Sequence, residues 1–175
     1  MTNEESKNMQ DELLLPLQQI RSAREYTISL IDDLNPNEWY QMPAPPISHI
    51  AWQVGHIAMA QFRLCLERLR NLQPGDWDLI SKDFLRTFAK GTVPIEDADN
   101  YPQPSEVLAV LNRVHEAVLQ EISEYQGSAL DTPFRNPHPI FKTKKEALFF
   151  SAQHEMLHAG QIGMLRRLLG KSPVR

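Results

Sequence analysis

Apolar residues recur at helical spacing in four stretches of the chain. From about Leu14 to Leu34, residues Leu17, Ile20, Arg24, Ile28 and Ile31 share one face of a 3.6-residue repeat. Pro16 suits a first turn, where its missing N–H is no loss, and Asn35-Pro36-Asn37 ends the helix. A second helix follows the Pro-rich Pro43-Ala-Pro-Pro46, with Ser48 as the expected N-cap. Its main stripe is Ile50, Val54, Ile57, Ala58, Gln61, Cys65 and Leu69, and it ends near Asn71. The third spans about Ser105 to Tyr125, with Val107, Leu111, Val114, Val118 and Ile122 on one face. The fourth spans about Lys144 to Leu169. It opens on the capping box Thr143-Lys-Lys-Glu146 and closes with Arg166, Arg167 and the C′ residue Gly170.

No stretch alternates with period two, so the expected fold is all-α, an up-down-down-up type four-helix bundle. Residues 72–103 form a long connection between helices two and three, and Asp76 to Ala89 has room for a short helix. The expected domain is 14–170, with a flexible N-terminus over 1–13 and a tail over 171–175.

Composition narrows the partners. Hydrophobic residues are 42% and charged residues 23% of 175, ordinary for a globular chain. A net charge of -4, with no large basic patch, argues against nucleic acid. The polar N-terminus has no signal-peptide character, and no apolar run approaches the roughly 20 residues that span a bilayer. A single cysteine, Cys65, excludes an intrachain disulfide. These features point to a cytoplasmic protein without membrane partners.

The candidate chemistry lies in the histidines. His154 and His158 are four residues apart. On a helix their directions differ by about 40°, with Cβ atoms roughly 6 Å apart, so both rings can meet one ion at about 2.0–2.1 Å. Their face continues through Ala147, Phe150, Gln161, Leu165 and Leu168 and is expected to point inward. The alternative is two core histidines bonded within the fold. His154-Glu155-Met-Leu-His158 also reads as the H-E-x-x-H of zinc proteases, with Glu155 as general base. Residues 159–175 contain no His, Asp, Glu or Cys to complete it, and no sheet is expected to bind a peptide. Glu155 points about 60–100° away from both histidines, which leaves it a weak catalytic candidate.

A third ligand must come from upstream: His49, His56, His115 or His138. His56 lies opposite the main stripe of helix two, beside Trp52, Ala60 and Arg63. It reads as a ligand placed off the packing face, or as a surface histidine near Arg63 and Glu67. His49 is two turns away, about 10.5 Å along the axis, and reads as a wall residue. His115 lies near a core stripe. His138, in the loop Asn136-Pro-His-Pro139, reads as a surface residue or a lid.

The chain resembles the DinB/YfiT-like superfamily of four-helix-bundle metalloproteins. The resemblance rests on His56 after a Pro-rich linker and Trp52, on Leu34-Asn-Pro-Asn-Glu-Trp39-Tyr, and on His154-Glu-Met-Leu-His158-Ala-Gly160-Gln-Ile-Gly-Met-Leu-Arg-Arg-Leu-Leu-Gly170. It covers about residues 14–170. It implies a histidine triad, here His56, His154 and His158, holding one divalent zinc, nickel or iron ion, and a homodimer. It also implies small-molecule chemistry: S-transfer or isomerisation with a low-molecular-weight thiol such as bacillithiol or mycothiol, a place in sulfoxide synthases, or metal-dependent hydrolysis. A non-catalytic, stress-related metal or small-molecule binding protein is the alternative.

The back of helix four is apolar too: Phe149, Ala152, Met156, Ala159, Gly160 and Gly163. This face is expected to pack on a dimer partner or beneath the 72–103 connection.

Overall fold

The computed structural model describes residues 3–125 and 127–174, without the side chains of 3–13, 127 and 128. The protein is all-α, and no strand occurs among the described residues. The helices are α1 (Asn3–Ile31), α2 (Ile50–Phe62), α3 (Arg68–Arg70), α4 (Asp76–Leu79), α5 (Lys82–Thr87), α6 (Pro104–Ser123), α7 (Gly127–Leu130) and α8 (Lys144–Leu168). α1 packs along α8, and α2 packs against both α6 and α8.

α1 buries Leu17, Ile20, Ala23, Arg24, Leu30 and Ile31 at three- and four-residue spacing. It begins at Asn3, ahead of the periodic segment, so Pro16 lies inside the helix rather than in its first turn. Of the expected N-terminal segment, residues 1 and 2 lie outside the described residues. Asn35 starts a 3₁₀ turn, Pro36–Trp39, in which Glu38 accepts from the Asn35 amide at 2.7 Å. α6 has all five stripe residues, Val107, Leu111, Val114, Val118 and Ile122, fully buried. Each contributes about 1.5–3 kcal/mol relative to exposure.

α2 is capped by His49, not by Ser48: His49 Nδ1 accepts from the Trp52 amide at 3.1 Å. The imidazole nitrogen takes the place of a hydroxyl oxygen at the cap. α2 runs through a π-turn, Arg63–Glu67, into α3. Apart from Trp52, every residue of α2 is buried, so the face opposite its main stripe is covered too. The cover comes from the connection to α6, which carries α4 and α5. An ideal Cβ at Gly55 would stand 2.4 Å from the Phe88 ring, so only glycine lets that ring lie on the helix.

α8 begins and ends as its sequence predicts. Thr143 accepts from the Glu146 amide, and Glu146 accepts from the Thr143 amide. Gly170 has φ +82°, and the Lys171 amide donates to the Arg166 carbonyl at 2.9 Å, closing a Schellman motif. Its buried face is rotated from the expected one. Ala147 and Leu165 of the expected face are buried, but so are Leu148, Ser151, Ala152, Glu155, Ala159 and Ile162, whereas Gln161 and Leu168 are exposed. A buried ion pair pulls Glu155 inward and turns the helix. Of the two covers expected for the back of α8, the 72–103 connection is not one, because it lies over α2; Met156 is 46% exposed, and Gly160 is open.

Candidate metal centre

The turn of the helices brings His56, His154 and His158 together. One ligand atom from each lies within 4.8 Å of the others, and these three form the only such cluster among the described residues. Ring centroids are 5.3 Å apart for His56 and His154, 4.8 Å for His56 and His158, and 4.5 Å for His154 and His158.

Two of the three rings have their tautomer fixed. His56 Nδ1 lies 2.7 Å from the Phe88 carbonyl, which can only accept, so Nδ1 carries the proton and Nε2 a lone pair. His158 Nδ1 faces Gln53 Oε1 in the same way. Gln161 reaches the same ring. His158 Nε2 is 3.3 Å from His154 Nε2. Two ligands at about 2.0–2.1 Å from a tetrahedral ion stand roughly 3.3 Å apart, so the spacing fits one ion between them. Carbonyl and amide oxygens behind the rings are the outer partners that such ligands require.

Burial keeps the rings neutral. It lowers the His154 pKa to about 4, with His56 adding repulsion. It lowers that of His158 to about 3, with repulsion from His154 and His56. His56 is lowered by burial against the opposing pull of the Phe88 carbonyl, and Arg63 and Lys90 push it the same way as burial. Trp52 stacks on His56 at 4.6 Å and 13°, its indole N–H anchored on Thr92 Oγ1 at 2.8 Å. The donor set is three neutral imidazoles, a set that can hold a divalent metal and leave positions open.

The comparison with family models decides the relationship: the DinB superfamily model matches residues 19–162. The chain belongs to the DinB superfamily. No curated protein matches it. The matched segment of this DinB-superfamily protein contains all three histidines.

The other candidates lie elsewhere. His49 is fully buried, capping α2, with its ring 4.5 Å from Tyr101 and 5.9 Å from Tyr40. His115 faces Gln61 at 3.4 Å, close to Arg24. His138 stacks on Phe141 at 4.4 Å and stands 5.8 Å from Phe150, which in turn is 5.9 Å from His154. It is thus one ring removed from the cluster. Glu155 is in the core: Arg24 Nε donates to its Oε1 at 2.8 Å, and the same guanidinium donates to the Leu111 carbonyl and to Gln61 Oε1. Its carboxylate is not part of the histidine cluster.

Sequence reasoning passed over Gln53 and Phe88. Gln53 left a signal, as a polar residue in the apolar run Ile50–Phe62 and three positions before His56. Phe88 left none, because it acts through its backbone carbonyl.

Proposed function

We propose that this DinB-superfamily protein is a metal-dependent enzyme acting on a small molecule. His56, His154 and His158 would hold one zinc, nickel or iron ion on an up-down-down-up four-helix bundle. The observation that carries the reading is the convergence of three neutral imidazoles, two with their outer nitrogens bonded to protein oxygens. A bound divalent ion would lower the pKa of a coordinated water to about 7 and deprotonate a coordinated thiol.

Thiol-dependent S-transfer is favoured over hydrolysis by what surrounds the triad. Hydrolysis calls for a proton-transfer group near the ion. Glu155 is committed to Arg24, and the charged groups that act on His56 are the cations Arg63 and Lys90. A metal-bound thiolate needs no such base. The chain's own thiol is no substitute, since burial pushes Cys65 up to about 12. The thiol would therefore come from a small molecule. That no carboxylate joins the triad among the described residues also supports the second reading, a non-catalytic metal or small-molecule binding protein. The H-E-x-x-H protease reading loses its general base.

We also propose a cytoplasmic homodimer. No described helix is long and apolar enough to cross a membrane. Met156, Leu157, Met164 and Leu168 are exposed together on α8. A groove of about 730 Å³ runs between α1 and α8, lined partly by Tyr26, Met156 and Leu157. Sedimentation of wild type and Leu157→Glu tests it: the variant should be monomeric, and a monomeric wild type would exclude the dimer.

The test of function is metal content after growth with zinc, nickel or iron, with each histidine changed to Ala in turn. One ion per chain is expected, lost in all three variants. Wild type without metal under replete conditions overturns both readings. Metal with turnover of a thiol and an electrophilic aryl halide supports S-transfer; metal without turnover of that pair or of esters supports the binding protein.

A further inference from the structure

A second polar feature lies along the same side of α2 as the histidines. His56 and Arg63 are seven residues apart, two turns on one face. Between Arg63 and Glu67 the helix widens to a π-turn, and the Arg68 amide donates to the Arg63 carbonyl, five residues back. On a regular α-helix, residues five apart diverge by about 140°. The widened turn instead sets Arg68 above Arg63, as residues four apart stack in an ordinary helix. π-Turns of this kind concentrate at functional sites.

The two guanidiniums line a cleft of about 600 Å³ together with Arg135, Glu67, Phe134 and Asn136. Three cations face one carboxylate there, in a chain whose net charge is -4. That carboxylate is only loosely used: Arg63 Nε stands 3.8 Å from Glu67. The Arg68 guanidinium carbon lies 5.2 Å from the ring centres of both Phe134 and Phe141, and the one side-chain hydrogen bond of Arg68 among the described residues is a 3.5 Å contact to the Asn136 carbonyl. Arg135 is exposed and has no ion-pair partner among the described residues.

A line of rings joins this cleft to the histidines. Phe141 under Arg68 is 5.4 Å from Phe150, and Phe150 is 5.9 Å from His154. These rings are packing rather than a path, since Phe141 is buried; the cleft is tied to the triad through Arg63, which stands on the same face of α2 as His56, about 10.5 Å along the axis. Planar guanidiniums match carboxylate and phosphate oxygens in pairs.

We propose that the Arg63–Arg68–Arg135 cleft anchors an anionic group, a carboxylate or phosphate, of the small-molecule thiol or its acceptor, so that the reacting end reaches the metal held by the triad. The proposal rests on the metal-dependent reading above and adds the charge of the substrate and the residues that select it.

The test uses the full chain loaded with cobalt, whose thiolate complexes absorb in the near ultraviolet. A series of ω-mercaptoalkanoates is compared with the matching neutral mercaptoalkanols. At one chain length or more, the carboxylate should bind about 10-fold or more tightly. That preference should vanish in Arg63→Gln/Arg135→Gln, both exposed positions, with the comparison made at saturating cobalt because Arg63 also acts on His56. Arg68→Gln should act alike, with melting monitored because Arg68 packs on two rings. Equal binding of charged and neutral thiols, or a preference that survives in the double variant, overturns the proposal. Titration calorimetry with inorganic phosphate, succinate and uncharged succinamide then separates the two anion chemistries. Saturable binding of either anion, weakened in the double variant, supports the subsite; binding of neither, or of succinamide equally, overturns it. Failure of the metal reading shows separately, as wild type that takes up no cobalt, and the calorimetry still decides the anion subsite.

Discussion

Arg24 and Glu155 form a buried pair in which one guanidinium also serves Leu111 and Gln61. Removing one charge strands the other in a low-dielectric core. Arg24→Met is expected to cost about 3–5 kcal/mol, and Arg24→Met/Glu155→Leu to recover most of that loss. Urea unfolding of both variants checks this; a double variant no more stable than the single would show that the pair is not what holds α8 in its rotation. At the triad, the acceptors behind the rings set the tautomers. Gln53→Leu, with Gln161→Leu added to remove the second acceptor near His158, is expected to weaken zinc by about 10–100-fold. Competition with a chromophoric chelator measures it, and unchanged affinity would mean that His158 is oriented by packing alone. The spacing of His154 and His158 was legible in the sequence because helix geometry fixes it. The place of Glu155 was not, since its burial depends on Arg24, a residue 131 positions away.

At the scale of elements, the four long helices could be read from their apolar repeats, and α8 from its caps as well, whereas the His49 cap of α2, the π-turn and the exact buried face of α8 could not. Periodicity reports which residues are apolar. It does not report that a helix will rotate to bury a charge whose partner sits on another helix. Likewise the pattern leaves His56, opposite the main stripe of α2, either a ligand off the packing face or a surface histidine; α5 and the loop after it close over that face, and only a tertiary contact shows this. Gly55 is the point of closure. Gly55→Ala places a Cβ where the Phe88 ring lies, and Phe88 supplies the carbonyl that orients His56. The substitution is expected to cost about 1–3 kcal/mol by overpacking and to weaken metal binding as well. Adding Phe88→Leu should restore part of both. Melting and zinc titration of the two variants check this, and Gly55→Ala with wild-type values in both would mean that the ring moves aside without disturbing the site.

Across the whole molecule, five histidines are held neutral by burial: His49 at about 4, His115 at about 3, His154 at about 4, His158 at about 3, and His56 shifted in the same direction. In the unfolded chain they return to about 6.5. Between these values the unfolded chain binds more protons than the folded protein, so stability rises with pH there. The stability these groups contribute is complete above about pH 6.5 and declines as the pH falls toward 4 and then 3. Ordinary carboxylates titrate near 4, at the lower edge of that window, so the decline above pH 5 belongs chiefly to the histidines. The metal-free protein should therefore melt at progressively lower temperature from pH 6.5 to 4.5, and His115→Gln, outside the triad, should flatten the slope. With metal bound, protonation of the triad must also expel the ion, and ligand binding to the folded state adds stability by mass action. The loaded protein should melt higher than the metal-free protein at pH 7, and the gap should close as the pH falls. Scanning calorimetry of both forms across this range reads all of these. A melting temperature independent of pH between 6.5 and 4.5 in the metal-free protein would show that the buried rings find compensating partners on protonation, and a constant gap between the forms would place the stabilising ion away from the triad.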